Sequence, residues 1–133
     1  TMLAITRDRN AGEFVDVKKV IREVTDRVFY SAKSAFVHKP AAVISSSRRA
    51  GSVTSMDVLN KHLSISEMPI VTSNYWNEVH GHTPSDVEQD REGLDTMYAL
   101  GKNMAWLLKC IKVGKKAGIE VPQNKKRTTN FIR

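Results

Sequence analysis

The stretch that decides the fold is Lys39-Pro40-Ala41-Ala42-Val43-Ile44-Ser45-Ser46-Ser47-Arg48-Arg49-Ala50-Gly51-Ser52. Ala41 to Ile44 is apolar without alternation, as in a parallel strand covered on both faces. It stops at a polar loop, Ser45 to Gly51, and a helical pattern follows. Val53, Met56, Leu59 and Leu63 give that pattern an apolar face over about 52–63, with Ser52 or Thr54 at the cap position.

The same alternation extends in both directions. Upstream, Val17, Val20, Ile21, Val24 and Val28 recur at three- and four-residue steps, which predicts a helix from Asp16. Its valines are weak helix formers, so burial of that face is expected to hold it. Downstream, Met68-Pro69-Ile70-Val71-Thr72 reads as a second strand, opening into a long loop from Ser73 to His82. Thr83-Pro84-Ser85-Asp86 is a start signal. Leu94, Met97, Tyr98, Gly101, Met104, Ala105, Leu108 and Ile111 then trace a last helix that is expected to stop before Gly118. Helix, strand, helix, strand, helix predicts an α/β sandwich around a parallel sheet. Only two strands are legible, so the sheet is expected to be incomplete within these residues. Residues 1–15 read as an irregular start, and 119–133 as a basic tail on one domain.

The chain has 133 residues and a net charge of +7. Residues 1–108 hold 13 basic and 13 acidic side chains; from Lys109 onward there are eight basic ones and Glu120. The excess therefore belongs to the end of the last helix and the tail, where cations complement the helix dipole. A nucleic-acid partner is not expected from such an end. Cys110 is the one cysteine, which excludes an internal disulfide and is too few for a cysteine metal cluster. It sits in an apolar stretch and is expected to be a buried thiol. No run approaches the roughly 20 apolar residues of a membrane span, and no signal peptide opens the chain. A soluble cytoplasmic protein with no membrane partner is expected.

Two loops follow the carboxyl ends of the expected strands, where open α/β sheets bind ligands. Ser45 to Gly51 offers hydroxyls, backbone N–H groups, Arg48 and Arg49, a set suited to an anion or an electron-rich ring carbonyl; a plain turn with solvated arginines is the other reading. Tyr75 and Trp76, with His80 and His82, could wall a planar ligand, or else form an oligomer contact or a satellite hydrophobic cluster. His80 and His82 lack a third converging ligand for a metal, and His38 and His62 read as surface residues. There is no G-x-G-x-x-G, P-loop or G-x-S-x-G motif.

Thr25-Asp26-Arg27-Val28-Phe29-Tyr30, Lys39 to Ser52, Ile65 to Gly81 and Gly93 to Lys109 together resemble the flavodoxin-like NAD(P)H-dependent FMN reductases. The nearest group is the cluster-free relatives of the iron–sulfur flavoproteins, and the likeness covers about residues 25–118. The resemblance implies a flavodoxin-like three-layer sandwich. It also implies FMN at the strand ends, NAD(P)H as co-substrate, an acceptor such as a quinone or free flavin, and assembly into dimers or tetramers. It assigns Ser45, Ser46, Ser47, Arg48, Arg49, Ala50 and Gly51 to a loop along the isoalloxazine. Tyr75, Trp76 and His80 fall in a second loop approaching the flavin. Residues 1–24 carry no counterpart of the family's phosphate-holding loop. A flavodoxin-like domain that binds no flavin and serves as an oligomerisation or interaction module is the alternative.

Overall fold

The computed structural model describes residues 17–125 and 127–131, with side chains from Glu23 onward. The irregular start expected over 1–15 lies outside the described residues. Among these, the chain is a mixed α/β structure of four α-helices and a two-stranded parallel sheet. The helices are α1 (Val17–Ser31), α2 (Ser52–Ile65), α3 (Pro84–Gln89) and α4 (Arg91–Lys116). The strands are β1 (Ser45–Ser47) and β2 (Glu78–His80). A short 3-10 turn, Lys33–Ala35, follows α1. No described helix is long and apolar enough to cross a membrane.

The strands lie later in the chain than the apolar runs suggest. Ala41–Ile44 and Met68–Thr72 meet only at an isolated parallel bridge, Ala41 with Ile70. The ladder forms instead where loops were expected, pairing Ser45 with Glu78, Ser46 with Val79 and Ser47 with His80. The Asn77 side chain explains part of this. Its Nδ2 donates to the carbonyls of Val43 (3.1 Å) and Val71 (3.4 Å), filling the gap where the two chains have diverged. The backbone ladder closes only beyond it, from Ser45 N–H to Asn77 O at 3.0 Å.

Ala41, Leu63 and Met68 form the buried core cluster, with Phe29, Phe36 and Val43 packed against it. The Phe29 and Phe36 rings lie 4.9 Å apart. Helix α2 packs on β1 and α4 on β2. The α2 face contains Met56 and Leu63, as its periodicity predicts, together with Ser52.

Helices α1 and α4 depart from their patterns. In α1, Val24 and Val28 are exposed, whereas Thr25 is buried. In α4, Gly93, Thr96 and Leu100 are buried, and Leu94, Tyr98, Leu108 and Ile111 face out. The apolar stripes mark faces fit for burial, but the described elements leave Val24 and Val28 of α1 and much of the α4 stripe bare. Cys110, expected to be buried, is exposed for the same reason.

The last helical region is also divided. Thr83 caps α3 in a reciprocal arrangement with Asp86, and Asp90 then interrupts the helix and caps α4. At the far end Gly118 takes a left-handed φ of 80°, which suits glycine and ends the helix where expected.

Candidate functional site

The two candidate loops are neighbours through the sheet. Ser47 and His80 are register partners, and Gly81 N–H donates to Ser47 O at 3.0 Å. Ser45 and Ser47 are half-buried and Ser46 is exposed, the alternation of a strand rather than a free loop. The Ser47 hydroxyl is buried, and no hydrogen-bond partner reaches it among the described residues. Arg48, Arg49, Ala50 and Gly51 follow as an exposed bend. Gly51 has φ 95° at the cap of α2, a backbone state that a side chain disfavours. The bend thus places Arg48, Arg49 and the start of α2 directly after the carboxyl end of β1.

On the other loop, Ser73 organises the turn: its hydroxyl donates to Tyr75 O at 2.6 Å, and its N–H donates to Asn77 Oδ1 at 3.2 Å. The Tyr75 and Trp76 rings lie 4.9 Å apart at 56°, both about half exposed. Tyr75 and His80 line a cavity of about 160 Å³ together with Glu78, Asp90, Glu92, Gly93 and Thr96. None of the residues from Ser45 to Gly51 lines it. The structure therefore pairs the two sequence-derived groups across the sheet, with Arg48 to Gly51 beyond its carboxyl end and Tyr75 and Trp76 before its amino end, and not in one cavity.

Two residues central to this region, Glu78 and Asp90, are not singled out by the sequence. Glu78 is 8% exposed and accepts a hydrogen bond from the Ser52 hydroxyl. This pair ties the second loop to the start of α2. Asp90 receives the N–H groups of His80 (2.6 Å) and Gly93 (2.9 Å), which hold its carboxyl below the ordinary value of 3.8, Gly93 contributing most. Asp86 is likewise lowered, first by the backbone N–H of Thr83, then by the Thr83 hydroxyl and the His82 N–H. The Asp90 cap could be suspected from its place three residues before Gly93. The Glu78–Ser52 pair joins residues 26 apart and leaves no local signal.

A larger groove, about 390 Å³, lies between α1 and α2, away from these loops. His62, placed on the surface by its polar neighbours, sits at its wall, with its side chain only 12% exposed. Its Nε2 lies 2.7 Å from Asp26 Oδ1 and its Nδ1 lies 3.1 Å from Val58 O. With both ring nitrogens engaged, this histidine is a tie between helices rather than a base. His38 is also half-buried, and its Nε2 faces Pro122 O at 3.1 Å. No group of three or more metal-binding side chains converges among the described residues.

The chemistry available at the strand ends is thus donor-rich on one side and acidic on the other. Hydroxyl and guanidinium donors suit the carbonyl edge of a planar heterocycle. The carboxyls of Glu78, Asp90 and Glu92 do not suit a phosphate. Comparison with protein-family models, with curated proteins and with solved structures finds no match to this chain.

Proposed function

We propose that this chain is a flavodoxin-like, FMN-dependent NAD(P)H oxidoreductase, acting in the cytoplasm and passing hydride from nicotinamide through FMN to an acceptor such as a quinone or free flavin. One observation carries the reading. Segments of the two candidate loops, Ser45–Ser47 and Glu78–His80, pair as adjacent parallel strands, so that Arg48 to Gly51 leaves their carboxyl end, the position where α/β sheets receive ligands.

The residues fit the isoalloxazine better than the phosphate. The exposed Ser46, Arg48 and Arg49 offer donors to ring carbonyls. Tyr75 and Trp76 offer an apolar face for stacking. Bound FMN would supply the hydride chemistry. The protein would position the ring, and the two guanidinium groups would favour added electron density on its carbonyl edge. Phosphate anchoring is assigned to none of the described residues.

The test is flavin titration, followed by absorbance and fluorescence. FMN and riboflavin are expected to bind within a few-fold of each other, because the contacts are to the ring. Arg48→Ala with Arg49→Ala is expected to weaken both at least tenfold while circular dichroism stays unchanged. A folded chain that binds neither flavin overturns the proposal. A second reading, a flavodoxin-like oligomerisation module without flavin, draws support from the bare stripes on α1 and α4.

A further inference from the structure

Helix α4 carries an apolar stripe that no other described element covers, with its own Lys102 Nζ 4.9 Å over the Tyr98 ring. Leu94, Tyr98, Gly101, Ala105 and Leu108 succeed one another at steps of four, three, four and three, the spacing of a helix-pairing seam. All five are exposed, Tyr98 at 70%, Leu108 at 48% and Leu94 at 42%. The stripe is turned away from Gly93, Thr96 and Leu100, the residues α4 buries. A Cβ built on Gly101 would meet nothing within 4 Å, so the backbone there is open to a close approach.

Size and charge along the stripe say what would cover it. The order is large, large, small, small, large. Turned end for end about Gly101, the same helix sets Leu94 against Leu108 and Tyr98 near the small Ala105. Charge follows the same rule. Asp86, Glu88, Asp90 and Glu92 lie at or before the helix start, whereas Lys109, Lys112, Lys115 and Lys116 close it, with no acid between Thr96 and Ile119. A parallel pair would stack like charges at both ends. An antiparallel pair sets acidic ends beside basic ends and opposes the helix dipoles.

We infer that α4 pairs antiparallel with α4 of a second copy of this chain, through Leu94, Tyr98, Gly101, Ala105 and Leu108, about a two-fold axis near Gly101. The surface is self-complementary, as a two-fold interface requires. One helix pair lies at the small end of interface sizes, so the dimer is expected to be weak and concentration-dependent. The inference holds whether or not the chain binds flavin.

Sedimentation velocity on the full chain is the test. The mass is expected to rise from 14.9 kDa towards twice that value with concentration, and to fall back at high salt as the end charges are screened. Lys109→Glu with Lys112→Glu, and separately Glu88→Lys with Glu92→Lys, are each expected to be monomeric with unchanged circular dichroism. Mixing the two variants is expected to restore a heterodimer, because one end pairs as in the wild type and at the other the reversed charges meet each other. Tyr98→Glu is expected to abolish pairing in every mixture. A wild-type chain that stays monomeric overturns the inference. So do variants that dimerise like wild type, a mixture that does not recover, or binding of the stripe to anionic vesicles without dimerisation.

Discussion

Asp90 accepts N–H groups from two directions, Gly93 at the start of α4 and His80 at the end of β2. Asp90→Ala removes a cap and frees the strand end, and is expected to cost about 1–2 kcal/mol in urea denaturation. The pH dependence has a definite sign. The folded carboxyl is lowered from 3.8, so its contribution is fully present above that value and drains away as pH falls through the lower, folded value. The gap between wild type and Asp90→Ala is therefore expected to be constant near neutrality and to close below about pH 3.8. The sequence discloses half of this residue. Its cap is local, like that of Thr83 and Asp86, and such signals survive in sequence; its bond to His80 depends on a strand pairing that no local pattern encodes.

At the scale of elements, α4 sits close on β2 because Gly93 has no side chain. A Cβ there would stand 2.3 Å from Asp90 Oδ2 and 3.0 Å from Val79 Cα. Alanine is the better helix former by about 1 kcal/mol, yet Gly93→Ala is expected to destabilise the chain by about 1–3 kcal/mol, because Asp90 must swing away and the strand must shift. Equilibrium unfolding decides the sign. The sequence discloses where helices lie, since periodicity survives in every context: 16 against Val17 for the start of α1, and Ser52 for α2. It does not disclose which face each helix buries. Thr25 is inside and Val24 outside because the neighbouring elements, not the helix, decide what is covered. The candidate loops suffer similarly, for Ser45–Ser47 becomes strand only through pairing with Glu78–His80.

For the molecule as a whole, the core cluster is small, and Ala41, Leu63 and Met68 share it. Leu63→Ala is expected to cost about 2–5 kcal/mol, a large part of the usual stability of a domain this size. Loss of the cooperative urea transition would be the reading at the upper end. The two turns beneath that core have a further property. His38 and Glu67 are the described non-glycine residues with positive φ, at 61° and 56°. They are joined by His38 N–H to Glu67 O at 3.1 Å, and each also meets the tail, at Pro122 O and at Asn124 Nδ2. The chain emerges from the ribosome at about 5–20 residues per second, so His38 is made several seconds before the proline it contacts, 84 positions later. During synthesis these two turns can bond to each other well before the tail contacts of His38 and Glu67 become available.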